Sequence, residues 1–421
     1  MLKTLVRLLP EPVRWAGYAL LHRLLHRNTV TIMPATPTKP ERYIWIFCST
    51  IGELNACKQL IAHYCAKAKV LLLTDREIYL ESYQQQFPTA VVAVAALDFR
   101  HTHSLLSQYP PKLAIVCEIP LLLHDAPCRL SYGVLRLLKQ QQVRICLVNG
   151  WLYGYQPACK QDSIEKYLFE QDYLNCFDVM SVQTEQIKQQ LVEQGAKPER
   201  LVVSGNMKYD NLDASLTLNQ PTQAMLGVLL KQPQLFVAGC VTDVWEYELV
   251  IKAFARARQS EAALKLVIAP RHPEKPEQLA ALEQLLQQHQ LVYQYRSQVT
   301  AQSLQLDDVL IVDSFGELKA FYAAAYACYV GINHNILEPL SLGKPVAVLG
   351  NWEPSYPSYP VFSIARSKQL VTELSDAADL ARFLATSATA AGNSDKARQV
   401  VEQLAQLSGA LARNIALIDA A

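Results

Sequence analysis

The sequence predicts an α/β protein made of two doubly wound, Rossmann-like domains. Three observations carry that prediction. Short apolar runs without polar alternation recur along the chain, as strands buried on both faces of a parallel sheet require. Longer stretches of helical periodicity separate them, which is the signature of βαβ units. The series stops once, at a polar, turn-rich stretch near residue 215, and then begins again.

Taken in order, residues 1–32 form a basic amphipathic segment. Within residues 1–27, Lys3, Arg7, Arg14, Arg23 and Arg27 face Glu11 alone. In VRWAGYALLHRLLHR (13–27), Leu20, Leu21, Leu24 and Leu25 share one side, Arg23 and Arg27 lie on another, and Trp15 and Tyr18 stand near the start. That pattern fits a helix lying in a lipid interface or an amphipathic helix packed on its own domain. A membrane span needs about 20 mostly apolar residues, and Arg14 and Arg23 interrupt this one. No small-residue cleavage site follows a compact apolar core, so a secretory signal is not expected.

The Pro-rich MPATPTKPER (33–42) leads into a first domain, 41–212. Its expected strands are YIWIFC, VLLLT, VVAVAAL, LAIVC, VRICLV and LVVSG. Residues 211–223 have the composition of a linker. The second domain, 224–394, carries QLFVAG, LKLVIAP, DVLIVD, ACYVG and PVAVLG, and residues 395–421 close the chain as a helix. In open parallel sheets, ligands sit beyond the carboxyl ends of the strands. Two such domains facing each other leave a cleft, a favoured ligand site. This is the architecture of GT-B glycosyltransferases, and also of several epimerases and binding proteins.

Composition narrows the chemistry. The formal net charge of the 421 residues is +1, so no general affinity for nucleic acid is expected. The ten cysteines are scattered, none in a CxxC pair, and several fall in strand-like runs. That usage fits buried free thiols in a reducing compartment rather than a disulfide framework or a zinc site. No metal site is expected.

The informative motifs follow strands. In CSTIGEL (48–54), Ser49 and Gly52 shape a turn and Glu53 stands at a helix start, where it is either a general base for an acceptor hydroxyl or a partner of the helix dipole. Glu118 directly follows the strand of LAIVC. In SGNMKYD (204–210), Lys208 is either a phosphate or carboxylate ligand or a surface lysine. AGCVTDVWEYEL (238–249) is a weak anion cradle. VIAPRHPEKPE (267–277) presents Arg271 and His272 between Pro270 and Pro273, a stiffened basic loop suited to phosphate. VDSFGEL (312–318) brings Ser314, Gly316 and Glu317, as ligand donors or as ordinary helix capping. GINHNILEPLSLGKPV (331–346) passes from a strand through a sharp loop into a short helix beginning at Glu338-Pro339. There the amides of Asn335, Ile336 and Leu337 are suited to a departing phosphate, and Glu338 to a ribose diol.

The order of these motifs resembles the Kdo transferases, which attach 3-deoxy-D-manno-oct-2-ulosonic acid (Kdo) to lipid A precursors. The matching pieces are Ser49–Glu53, Gly205–Asp210, Pro270–Glu274, Asp313–Leu318 and His334–Pro339. The resemblance spans nearly the whole chain, and five ordered matches are far more specific than any one. It implies a GT-B fold, CMP-Kdo as co-substrate with no cofactor, and work at the cytoplasmic face of the inner membrane. It also implies Glu53 as catalytic base, Arg271 and the amides around Asn335 on the CMP phosphate, and Glu338 on the ribose. Gly316 and Glu317 would line the nucleotide, and Lys208 would lie near donor or acceptor.

Departures from the family pattern point to a divergent member or a paralogue. The family's Gly-Ser-Thr-His is here Gly239-Cys240-Val241-Thr242. Its Asn-Ala-Arg is Asn149-Gly150-Trp151, its Glu-Thr-Glu is reduced to Glu118, and its glycine-rich loop is shortened to Gly331-Ile332-Asn333. The alternatives are a GT-B transferase or epimerase using a UDP-sugar, and a non-catalytic, membrane-associated paralogue that binds nucleotide or lipid.

Overall fold

The structure is a computed structural model. It describes residues 9–25, 33–34, 41–95, 99–118, 130–151, 160–210, 212, 220–232, 234–314, 316–354, 356, 358–389 and 393–420. The chain divides into two compact units, Met1–Asn211 with Leu407–Ala421, and Leu212–Gln406.

The first unit holds a seven-stranded sheet of β1 (Tyr43–Phe47), β2 (Val70–Thr74), β3 (Val91–Val94), β4 (Pro111–Cys117), β5 (Arg144–Gly150), β6 (Val179–Val182) and β7 (Leu201–Val203). The order is β3-β2-β1-β4-β5-β6-β7 and every pairing is parallel. The apolar runs behave as their lack of alternation requires. All five residues of β1 are buried, with Tyr43, Trp45 and Phe47 in one core layer and Ile44 and Ile46 in the other.

The second unit repeats the plan with β8 (Leu235–Val241), β9 (Lys265–Pro270), β10 (Tyr293–Tyr295), β11 (Val309–Ile311), β12 (Ala327–Val330), β13 (Val346–Leu349) and β14 (Thr372–Leu374). Its order is β10-β11-β9-β8-β12-β13-β14, again all parallel. In each sheet the winding reverses beside the first strand, between β1 and β4 and between β8 and β12. Crevices for ligands form outside the carboxyl ends of strands at such switch points.

Two expectations are revised and a third is resolved. The expected linker gives way at its end to a helix, Gln220–Leu229, whose Thr222 is buried against the second unit's Glu317. Its remaining residues, apart from 212, lie outside the described ones. The expected single C-terminal helix is two, Asn393–Ala405 and Ala410–Asp419, separated at Gly409, whose φ of 97° no helix admits. The second of them belongs to the first unit. Asp210 accepts the N–H groups of Gly409 (2.5 Å) and Leu411 (3.0 Å), and Arg144 donates to the carbonyls of Leu417 and Ile418. Periodicity alone reports neither the break nor this return.

The third concerns the helix Glu11–Leu25, for which the sequence leaves two readings open and which packs within the first unit. Tyr18 is fully buried against Tyr132 and Phe169, Trp15 meets Tyr132 edge-on, and Arg14 pairs with both oxygens of Asp172 at 2.6 and 2.7 Å. The two aromatic residues therefore serve docking, the second of the two readings that the sequence leaves open. Val13, Ala16, Gly17 and Leu20 lie exposed. The side chains of residues 21–27 lie outside those described. Among the described residues, no helix is long and apolar enough to cross a membrane, and eight cysteines are free thiols, six of them buried.

Candidate active site

In the second unit the switch point between β8 and β12 is built around a buried carboxylate. Glu246, in the first turn of the helix Val244–Ser260, accepts the Thr242 N–H on Oε2 (2.9 Å). Its Oε1 accepts the Tyr329 hydroxyl (2.7 Å) and the Ile332 N–H (3.1 Å). The loop after β8 is thereby tied to the loop after β12. Burial pushes the Glu246 carboxyl up, and these hydrogen bonds partly offset the effect. The loops also touch directly, since a Cβ on Gly331 would stand 2.1 Å from the Cys240 carbonyl oxygen.

This packing sets His334 against Thr242, with Nε2 at 2.9 Å from Oγ1. Burial and the positive charges of Arg271 and His272 hold His334 down to about 4. At neutral pH His334 is therefore uncharged. The Arg271 N–H bonds the Val241 carbonyl at 2.8 Å, which fixes its backbone to the end of β8. Its side chain is exposed and, among the described residues, makes no hydrogen bond or ion pair. His272 reaches out to Glu274, 3.0 Å away.

Below them is the short helix Leu337–Ser341. Asn335 Oδ1 accepts the Leu337 N–H (3.1 Å), and its Nδ2 donates to Glu338 Oε1 (3.2 Å). Ile336 is fully buried. Burial raises the Glu338 carboxyl, with the Asn335 bond and Lys319 opposing. Arg271, His334, Thr242, Asn335 and Glu338 thus gather at the ends of β8, β9 and β12. That set offers a fork of donors for a phosphate and a carboxylate for a diol.

Ser314, Gly316 and Glu317 are engaged differently. Glu317 accepts from Thr222 (2.7 Å), Arg296 (2.8 Å) and Ser314. Desolvation raises its carboxyl, but those bonds outweigh it and hold it below the usual range. Its oxygens tie the helix Gln220–Leu229 and the turn Arg296–Gln298 to the loop after β11, a structural task that the sequence alone does not show.

In the first unit Glu53 is buried, and its Oε2 accepts the Ser49 N–H at 2.5 Å while its own N–H is held by Thr50 Oγ1. This is a near relative of the capping box, so the dipole-partner role is realised in the structure. Ser49 Oγ donates to Asp75 (2.6 Å), and Gly52 sits in the first turn of the helix Ile51–Lys67. Across the switch point, Glu118 accepts from Asn149 Nδ2 (3.0 Å) and pairs with Lys208 Nζ (3.3 Å). The structure thus joins Glu118 and Lys208, which the sequence offers only as separate candidates.

Sequence reasoning misses Thr242, Glu246, His334, Asn149, Gln183 and Asn206 as site residues. His334 and Asn206 lie inside the matched motifs, Thr242 and Glu246 inside AGCVTDVWEYEL, and Asn149 in Asn149-Gly150-Trp151, which are the signals that would have found them. Gln183 carries none. Among the described residues, no three His, Cys, Asp or Glu side chains are placed to hold a metal ion.

Residues 22–211 match the family described as 3-deoxy-D-manno-octulosonic-acid transferase (kdotransferase). A bifunctional glycosyltransferase/methyltransferase of Fusobacterium nucleatum is 26% identical over 322 residues, or 73% of this chain and 47% of that protein. The chain therefore spans about half of that relative's length. A 3-deoxy-D-manno-octulosonic acid transferase of Rickettsia felis is 24% identical over 340 residues, 77% of this chain and 68% of that one. In fold, a glycosyltransferase from Rickettsia africae superposes with a TM-score of 0.60 at 10% identity, covering 91% of this chain and 99% of that one. The fold is α/β and of the GT-B type, and the similarity to the 3-deoxy-D-manno-octulosonic-acid transferase (kdotransferase) family lies in residues 22–211, within the first unit.

Proposed function

We propose that the protein is an inverting glycosyltransferase that moves Kdo, or a related acidic sugar, from its CMP-activated form to a lipid A precursor or a similar lipid-linked acceptor. The supporting observation is that, in a chain whose residues 22–211 match the Kdo transferase family, Arg271, His334, Thr242, Asn335 and Glu338 meet at the β8/β12 switch point of the second unit. In the proposed reaction the second unit holds the donor, with Arg271 on the phosphate and Glu338 on the ribose. The acceptor oxygen attacks the anomeric carbon as the bond from that carbon to the CMP phosphate oxygen breaks. CMP leaves with the electron pair, and Glu53 takes the acceptor proton. Lys208, paired with Glu118, offers its cation to the acidic sugar or to an acceptor phosphate. Protein donors carry the leaving phosphate and no metal is needed, so EDTA should leave the rate unchanged. The protein works peripherally at the cytoplasmic face of the inner membrane, with residues 1–27 meeting the lipid surface.

The test is CMP release from CMP-Kdo with a detergent-solubilised lipid A precursor. Wild type turns over. Glu53→Gln loses about 10²–10⁴-fold in kcat, the usual share of general base catalysis. Arg271→Ala raises KM for the donor. A protein stabilised thermally by UDP but not by CMP, and inert with CMP-Kdo, would defeat the proposal.

A further inference from the structure

The first unit contains a polar circuit that closes on itself. Glu118 Oε1 accepts from Asn149 Nδ2 at 3.0 Å. The Asn149 carbonyl accepts from Gln183 Nε2 at 3.0 Å, and Gln183 Oε1 accepts from Asn206 Nδ2 at 2.9 Å. Asn206 Oδ1 accepts the Lys208 N–H at 2.9 Å, and Lys208 Nζ returns to Glu118 Oε1 at 3.3 Å. A cross-brace joins Asn149 Oδ1 to the Met207 N–H at 2.7 Å.

The five residues come from the ends of β4, β5, β6 and β7. Glu118, Asn149, Gln183 and Asn206 are buried, whereas the Lys208 side chain is 22% exposed. Lys208 is therefore the member whose head can meet a ligand. A lysine carries many rotamers, so one carboxylate fixes its ammonium only if both that carboxylate and the lysine backbone are fixed. Asn149 fixes the first and Asn206 the second. Gln183 joins those two, using its amide once as donor and once as acceptor.

We propose that Gln183 is a positioning residue that, through Asn149 and Asn206, sets the Lys208 ammonium against Glu118 for its contact with substrate. The inference rests on the part given to Lys208 in the function proposed above. Gln183→Met keeps the length of the side chain and removes both bonds. The first readout needs no activity. It is the labelling of Lys208 by acetic anhydride, measured by mass spectrometry against the exposed Lys197 of the same molecule. The Lys208:Lys197 ratio should rise several-fold in the variant; an unchanged ratio overturns the inference.

The second readout is a double-mutant cycle on kcat/KM. Gln183→Met alone should cost about 10–100-fold, the scale of a misplaced group. In a Lys208→Met background it should cost nothing further. Losses that simply multiply would mark Gln183 as structural and overturn the inference. Where Gln183→Met does not fold, Gln183→Glu carries the same comparison, because it keeps the bond from Asn206 and loses only the one to Asn149. A wild type that never turns over CMP-Kdo would defeat the proposed function, while the labelling ratio would still decide the role of Gln183.

Discussion

The low proton affinity of His334 predicts a specific acid sensitivity. Its ring is held from an ordinary 6.5 down to about 4, chiefly by burial and further by Arg271 and His272. The unfolded chain takes up this proton near pH 6.5 and the folded chain only near pH 4. Between those values the unfolded state binds more protons, so stability falls as the pH drops. The contribution is complete above pH 6.5 and gone below about pH 4. Its full size is about 3 kcal/mol, of which about 2 kcal/mol is already lost at pH 5. The perturbation is His334→Gln, which cannot be protonated and can still bond Thr242 Oγ1. Urea unfolding of both proteins at pH 7 and pH 5 isolates the residue, because every other titrating group is common to the two. Wild type should lose about 2 kcal/mol more than the variant over that interval. Equal losses would show that His334 is not held neutral by its surroundings.

Three further predictions follow from the packing. A Cβ on Gly239 would stand 1.8 Å from the Tyr322 hydroxyl oxygen and 3.0 Å from Leu318 Cδ2, so Gly239→Ala should destabilise by about 1–3 kcal/mol. Tyr322→Phe in the same background should recover part of the loss, and an unchanged thermal midpoint for Gly239→Ala would contradict the contact. Asp210→Ala removes two charged hydrogen bonds from the start of the helix Ala410–Asp419, at about 1.5–3 kcal/mol each. Limited proteolysis should then release the C-terminal segment, and a wild-type digestion pattern would refute that anchoring. If the N-terminal helix meets lipid by its outward side, Val13→Glu with Leu20→Glu should weaken binding to anionic vesicles; retained binding would rule that side out.

The strands easiest to find in the sequence are the long apolar ones, such as YIWIF in β1 and LFVAGCV in β8, because burial on both faces leaves no polar interruption. Three strands escaped. β6 is only VMSV, and β10 (YQY) and β14 (TEL) are three-residue edges with polar members. The loss of β6 had a consequence, because Gln183 follows it directly and had no strand end to mark it. The motifs after β1, β7, β9 and β12 were legible because this topology puts strand ends together. Their partners were not. Thr242 and His334 stand 92 positions apart, and Thr222 and Glu317 95 apart, and only the folded backbone brings them within bonding distance. Glu317 shows the limit most plainly, since a carboxylate at a helix start has one appearance in sequence whether it faces a ligand or binds Thr222, Arg296 and Ser314.

Backbone strain marks the same places without reference to any motif. Seven described residues other than glycine have a positive φ. Gln142, Gln290 and Gln369 each lie two positions past a helix, where a left-handed residue closes the last turn, and each donates its N–H back to a helix carbonyl at 3.0 Å. These are ordinary helix endings. The other four, Glu118, Asn149, Cys240 and Asn333, stand at the carboxyl ends of β4, β5, β8 and β12. A left-handed conformation costs a residue with a Cβ about 1–2 kcal/mol, and such positions persist only where their surroundings over-determine them. The bonds of Glu118 and Asn149 to their neighbours, the contact of Gly331 with the Cys240 carbonyl, and the acceptance of the Glu353 N–H by Asn333 Oδ1 at 2.8 Å supply that determination. Both switch points are therefore held in conformations that regular strand endings would not adopt. The strain falls on the strands that carry Glu118, the Thr242 loop and the His334–Glu338 turn, so backbone geometry and side-chain chemistry select the same ends of the two sheets.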